Sequence, residues 1–183
     1  MNLKKAFETL LRYVKAPERD GDLPVSMVLL LRESNFPTLD QLRLAAEKAF
    51  DTSFVEGDQG ARHYVVRVSH LTVMKAGPHT LSFLNQTRPY GDDPQEFERS
   101  WPKVSQREAW AKHTAWTAVD YVKGGVDLKL EYAVLARLCA ELLDVNCAGL
   151  YVPGKQTFTP NDGSLREELQ RMAASRPLGV TPN

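Results

Sequence analysis

Signatures of the common catalytic and metal-binding chemistries are missing from this 183-residue sequence. It has no C-x-x-C pair, no H-E-x-x-H and no G-x-S-x-G, which are the usual signs of a zinc site, a zinc hydrolase and a serine hydrolase. The glycine pair Gly124-Gly125 precedes a predicted helix, but it lacks the lysine-serine ending of a phosphate loop and the G-x-G-x-x-G spacing of a dinucleotide site. We therefore expect no cofactor and no metal.

An excess of charge of either sign is also lacking. Lysine plus arginine and aspartate plus glutamate number 23 each, so no net field favours nucleic acid or an anionic membrane. The predicted strands also lack the basic and aromatic pattern of an RNA-binding sheet, and we expect no nucleic-acid partner. Cys139 and Cys147 are the two cysteines, and both fall in segments that we expect to be buried, which favours reduced thiols over a disulfide.

Long apolar runs are absent, and a run such as residues 28–31 is far too short to span a bilayer. Residues 1–16 place apolar side chains at helical spacing with charges between them, which predicts an amphipathic helix and not a secretory signal. We expect this helix to pack on its own domain or on a partner. The protein is expected to be cytoplasmic.

The clearest positive pattern is a β-α-β unit over residues 111–152. A strand carrying His113 leads through a glycine turn to Asp127, which can cap a helix over residues 128–143. That helix is apolar on most sides, so it should lie across a sheet. A second strand follows over residues 145–152.

Capping and turn signals divide the rest of the chain. Thr38 and Gln41 form a capping box after a buried strand at residues 25–31, and Ser105 and Ser164 open two more predicted boxes. Residues 61–75 read as one strand that turns at residues 76–78 into a second strand. With that turn, His70 lies opposite Phe83 and not near His79, so the two histidines make no ready metal pair.

This order predicts an α+β fold, a ferredoxin-like or split-βαβ sandwich. Its sheet is mixed and mainly antiparallel, its helices pack on one face, and the N-terminal helix is appended. The expected organisation is an amphipathic helix over residues 1–16, a single α+β domain over residues 24–175 and a flexible tail over residues 176–183.

Few residues stand out as functional candidates. His113 is the one candidate acid or base, although strand alternation puts it on the opposite face from Asp120, and a satisfied buried histidine is the more common case. The loop over residues 85–93 combines amides, an arginine, a tyrosine and acids, as a recognition surface or a solvated hairpin end would. The candidate binding residues are Arg88, Tyr90, Asp92, Asp93, Trp110 and Trp116, where the tryptophans are either a ligand platform or core filling.

The order of an H-x-A strand at residues 113–115, an apolar helix and a strand with Gly149-Leu150-Tyr151 resembles a family of bacterial domains of unknown function. The resemblance covers residues 25–158. It implies an α+β bacterial protein and carries over no catalytic residue.

Three functions are compatible with these observations. The first is a non-enzymatic, cytoplasmic bacterial module that binds another protein, of an accessory or immunity type. The second is a small enzyme with His113 as acid or base in a sheet cleft lined by Trp110 or Trp116. The third is a sensor for a small ligand on the same sheet. The sequence does not indicate an oligomeric state.

Overall fold

A computed structural model describes residues 25–69, 71–91, 94–124 and 127–175 of the protein. The helix expected over residues 1–16 and the tail expected over residues 176–183 lie outside the described residues. The strands are β1 (Ser26–Leu31), β2 (Val55–Glu56), β3 (His63–Val68), β4 (Leu71–Ala76), β5 (His79–Gln86), β6 (Ala115–Lys123), β7 (Cys147–Val152) and β8 (Thr157–Pro160). The described helices are α1 (Leu39–Phe50), α2 (Pro94–Ser100), α3 (Val104–Ala111), α4 (Leu128–Leu142) and α5 (Leu165–Ala174).

The eight strands form one sheet in the order β2-β3-β4-β5-β6-β1-β7-β8. Only β2 and β3 pair in parallel, and the remaining pairs are antiparallel. Because β6 and β7 are both antiparallel to β1, they run in the same direction on either side of it, and α4 connects them. The prediction of an α+β fold with a mixed, mainly antiparallel sheet is confirmed, and the sheet is larger than a simple split βαβ unit.

Two of the predicted helix starts are confirmed in atomic detail. The Thr38 hydroxyl accepts from the Gln41 N–H at 3.2 Å, and the Gln41 amide oxygen accepts from the Thr38 N–H at 2.8 Å. The Asp127 carboxylate accepts from the Leu130 N–H at 2.8 Å at the start of α4. Each bond satisfies an N–H group that the first helical turn leaves free.

The other two predicted capping boxes do not form. Helix α3 begins at Val104, so Ser105 lies inside its first turn and not at the cap. The Ser164 hydroxyl donates to the Asp162 carboxylate at 2.8 Å and makes no bond to the start of α5. In this second case the hydroxyl is bonded to Asp162, which precedes the helix.

Residues 61–75 form two strands, and the prediction of one was wrong. Val68 pairs with Leu71, so the chain reverses between them, with Ser69 at φ +58°. The predicted turn at residues 76–78 is present, because Ala76 pairs with His79 around Gly77 at φ +60°. Phe83 pairs with Thr72, and His70 lies outside the described residues.

Both faces of the central strands are covered. On one, here called the helical face, α1, α4 and α5 bury alternate residues of β1 such as Met27 and Leu29. On the other, here called the aromatic face, Val28 and Leu30 pack against tryptophans from the α2–α3 region. The expectation of helices on one face therefore holds for only three of the described helices. All of β1 is buried, so both of its alternating sets of side chains need a cover.

No helix among the described residues is both long enough and apolar enough to cross a bilayer.

Candidate functional site

Seven rings pack together on the aromatic face. This aromatic cluster consists of Tyr90, Phe97, Trp101, Trp110, Trp116, Tyr151 and Phe158. Trp110 lies at its centre with 1% exposure, stacked on Phe97 at 5.6 Å and met edge-on by Phe158 at 5.2 Å. Edge-to-face and stacked ring pairs add about 0.5–1.5 kcal/mol each beyond the area that they bury. Trp110 is thus a core residue and is not accessible to a partner.

Trp116 lies at the margin of the cluster. It is partly buried, and its ring meets the Tyr90 ring at 5.2 Å with an interplanar angle of 78°. The indole nitrogens of Trp116 and Trp101 are buried and have no hydrogen-bond partner within the described part of the chain. An unpaired buried donor costs free energy, so packing and not polar bonding holds these two rings in place.

His113 connects this cluster to the loop after β5. Its Nδ1 donates to the Trp110 carbonyl oxygen, and its Nε2 accepts from the Tyr90 N–H at 2.8 Å. The histidine is 4% exposed, and burial lowers its pKa, against an opposing effect of the Trp110 hydrogen bond. Both nitrogens are engaged by backbone groups, and the acceptor role of Nε2 requires the neutral ring. His113 therefore has no free nitrogen with which to act as an acid or base.

The prediction that strand alternation puts His113 on the opposite face from Asp120 does not apply. Strand β6 begins at Ala115, so His113 precedes the strand and its alternation does not place that side chain. The His113 ring packs on Trp110, with ring centroids 5.0 Å apart, and therefore belongs to the aromatic face.

The loop at residues 87–91 is held at both ends. Before it, the Asn85 side-chain oxygen accepts from the Thr117 hydroxyl at 2.9 Å. After it, Tyr90 is held by His113 and its ring lies in the cluster. Gly91 has φ +89°, and a Cβ there would lie 3.2 Å from the Phe97 ring. The residues on either side of the exposed segment 87–89 are thus fixed by side-chain and ring contacts.

Only part of this loop faces water. Thr87, Arg88 and Pro89 are exposed, whereas Tyr90 is partly buried. Among the predicted binding residues that the structure describes, Arg88 is the exposed one, and Asp92 and Asp93 lie outside the described residues. The structure brings Tyr90, Trp110, Trp116 and His113 together, but it does so as one packed cluster.

A polar group that the sequence did not single out lies beside Tyr90. Asp120 is partly buried and accepts hydrogen bonds from Ser26 and Ser82, its neighbours on β1 and β5. Burial raises the pKa of Asp120, and the two serines oppose that shift. Burial also raises the pKa of Tyr90, with smaller contributions from Tyr151 and Asp120. Asp120, Ser26 and Ser82 come from strands that are distant in sequence, so only the order of the strands in the sheet brings them together.

The helical face has a polar group of its own. His79 Nδ1 and the Tyr121 hydroxyl are 2.5 Å apart, and both side chains are buried. Burial lowers the pKa of His79, and burial together with nearby Glu131 raises the pKa of Tyr121. The effect of Glu131 on Tyr121 places this pair beside α4.

Residue types that bind metals do not converge in the described chain. No group of three or more histidines, cysteines or acids is placed to hold an ion there. Cys139 and Cys147 are free and buried, and burial raises the pKa of Cys147 to about 12. Thiols of this kind are protonated and inert at neutral pH.

Comparison with known proteins gives no relative. No protein-family model matches the chain, and no curated protein and no solved structure matches it significantly. The resemblance to a bacterial family of unknown function stays a prediction. The function is therefore argued from the residues of this chain.

Proposed function

We propose that this chain is a protein-binding module of an accessory or immunity type, cytoplasmic and bacterial, and that loop 87–91 supplies its central contact. The observation that carries the proposal is that Arg88 is exposed on a loop whose two flanking residues, Asn85 and Tyr90, are both held by hydrogen bonds. A buried histidine, a buried tryptophan carbonyl and a tyrosine N–H form a chain of hydrogen bonds that ends at this loop. Loops fixed on a rigid scaffold are the usual carriers of recognition.

Preorganisation supports a binding role for this loop. Ordering a mobile loop on binding costs free energy, and a loop that is already ordered avoids that cost. Arg88 is exposed beside Pro89, and arginine is enriched among the residues that dominate interface energies. A guanidinium favours a partner that presents a carboxylate, because the two can form paired hydrogen bonds.

The enzyme alternative loses its main support. It required His113 to act as acid or base, and both ring nitrogens of His113 are bonded to backbone groups. The ligand-sensor alternative keeps one specific observation, the partly buried Asp120 between Ser26 and Ser82. A carboxyl in that position suits a small cationic ligand.

The binding proposal is tested by capture from host lysate with three full-length proteins: the wild type, Arg88→Glu and Arg171→Glu. Arg171 is an exposed arginine on α5 and provides the matched control. We expect Arg88→Glu to reduce recovery of a stoichiometric partner by about tenfold or more, the effect of a residue worth over 1.4 kcal/mol. Equal recovery with both variants would remove the loop from the proposal.

Tyr90→Ala is unsuitable for the same purpose, because Tyr90 packs against Trp110, Trp116 and Tyr151. Its loss would disturb the core together with any interface. Arg88 can be changed without touching the cluster.

The sensor alternative has a different test. Small cations should raise the melting temperature of the wild type and not of Asp120→Asn, since a ligand stabilises only the state that binds it. A rise that is the same in both proteins would place the ligand elsewhere.

We also propose that the centre of the sheet is a ferredoxin-like core. The order β5-β6-β1-β7 with α1 and α4 on the helical face supports this interpretation. Strands β2, β3 and β4 would then be an insertion between α1 and β5 that widens the sheet. Two crossover helices on one face are typical of that arrangement.

A further inference from the structure

The aromatic face continues beyond the aromatic cluster, over β3, β4 and β5. This outer half-face is defined by side chains that alternate with the helical-face residues Val65, Met74 and Phe83. Its apolar side chains are Tyr64, Val66, Val68, Leu71, Val73 and Leu84, and the same face also carries Lys75, Thr80, Ser82 and Gln86. Among the described helices, α1 contacts β3 and β4, and it packs on the opposite face.

Most side chains of the outer half-face are apolar, and none of them is fully exposed. Val73 is 3% exposed, although it belongs to neither of the two hydrophobic clusters. Its neighbours Val66, Leu71 and Tyr64 are partly buried, and burial raises the pKa of the Tyr64 hydroxyl. A face of this composition needs a cover, because an apolar sheet face is stable only when it is buried.

We propose that the outer half-face is a docking surface for the chain's own residues 1–16, folded as an amphipathic helix. This inference does not depend on the role of Arg88. It places the N-terminal segment beside loop 87–91, because Leu84 leads through the end of β5 into that loop.

The chain enters the described structure at a suitable place. Val25 precedes β1, and β1 lies beside β6, which in turn borders β5. The connector at residues 17–24 can extend over about 26–29 Å at 3.3–3.6 Å per residue. From β1 to β3, across β6, β5 and β4, there are four strand spacings, about 19 Å at roughly 4.8 Å each. The connector is thus long enough to bring a helix of about 24 Å onto β3, β4 and β5.

The sequence of residues 1–16 has the surface that such a site requires. Leu3, Phe7, Leu10, Leu11 and Val14 recur at helical spacing and lie on one side. Thr9 lies about 200° from Phe7 on a helix that turns 100° per residue, so it faces away. Apolar area on the helix then matches apolar area on the sheet, and the charged side stays in water.

Site-specific cross-linking of the full chain tests the proposal. Cysteine is introduced at Val66 on the outer half-face and at Phe7 on the apolar side of the segment, and the pair is treated with a short bismaleimide. The matched control pairs Val66→Cys with Thr9→Cys. The native thiols give little background, because burial raises the pKa of both Cys139 and Cys147.

We expect the Phe7 pair to cross-link within one chain at least fivefold more than the Thr9 pair, as measured by the mass of the product. Equal yields for the two pairs would overturn the proposal. A product of two chains would overturn it in favour of a second copy on the face. Leu71→Cys replaces Val66→Cys if that variant melts below the parent protein, and the same criteria apply.

Discussion

The helical face and the aromatic face of the sheet are buried by different means. The helical face is filled with aliphatic side chains, and three helices of ten to fifteen residues cover it. The aromatic face is filled by rings, and those that cover the sheet come from two helices of seven and eight residues, which carry Phe97 and Trp110, and from the loops that carry Tyr90 and Trp101. Large rings let short segments bury enough area to stay in place.

This difference shows where the molecule can display a recognition surface. A face covered by long helices presents only helix exteriors to water. A face covered by short segments presents the loops between them, and in this protein the rings also fix the shape of loop 87–91 through His113. The two faces are therefore expected to lose different properties on substitution.

The largest effect is expected at the two centres of packing. Trp110→Ala on the aromatic face should lower the free energy of unfolding by about 3–5 kcal/mol, and Leu135→Ala on the helical face by about 2–5 kcal/mol. Both side chains are almost fully buried, with 1% and 0% exposure. Urea unfolding of each variant measures these losses.

Only the tryptophan substitution should release the loop. The Tyr90 N–H is protected by its bond to His113, whose ring packs on Trp110 at 5.0 Å. Amide exchange at Tyr90 should therefore accelerate more in Trp110→Ala than in Leu135→Ala, after the rate in each variant is corrected for its free energy of unfolding. The same acceleration in both would mean that the cluster does not hold the loop.

The sequence predicted those parts of the fold that depend on local signals. Thr38 with Gln41 and Asp127 start helices where their side chains can reach free N–H groups, and a side chain three residues away is all that such a bond needs. The length and apolar character of α4 placed it across the sheet. The turn at Gly77 was predictable because glycine readily takes the positive φ that the turn requires.

The sequence could not predict what depends on strand order or on a turn without a typical signal. The reversal at Ser69 has no glycine or proline to mark it, so two strands were read as one. The group of Asp120, Ser26 and Ser82 forms only because β6 lies between β1 and β5. His113 was found as a candidate, but its two backbone partners come from tertiary packing.

The polar pair on the helical face gives the next largest effect. Tyr121→Phe leaves His79 Nδ1 buried without its partner at 2.5 Å, which should cost about 1–3 kcal/mol in the free energy of unfolding. Tyr132→Phe is the matched control, because Tyr132 is only partly buried on α4. Equal losses in urea unfolding would show that the bond between His79 and Tyr121 contributes little.

His113 should make the aromatic face sensitive to acid. Its native pKa is lowered by burial, so the unfolded chain binds the proton more readily. Stability is then complete above the unfolded value of about 6.5, falls as the pH drops below it and levels off below the native pKa. Each unit of lowering corresponds to about 1.4 kcal/mol.

His113→Gln should therefore flatten the decline of unfolding free energy between pH 7.5 and pH 5, and the decline of Tyr90 amide protection with it. His63→Gln is the control, since burial also lowers the pKa of His63 but that histidine is more exposed. A decline that is unchanged in His113→Gln would assign the acid sensitivity to His63 and His79, whose pKa values are lowered as well.

The smallest effect is expected where the aromatic face becomes polar. The pKa of Asp120 is raised by burial, so its charged form is less favourable in the folded state than in the unfolded chain. Stability from this group is greatest below the unfolded pKa and declines as the pH rises through the native value. Asp120→Asn keeps the acceptor for Ser26 and Ser82 and should raise the melting temperature slightly at pH 7, with the gain vanishing in acid. A lower melting temperature at pH 7 would instead show that the hydrogen bonds from Ser26 and Ser82 favour the charged carboxylate by more than its burial costs.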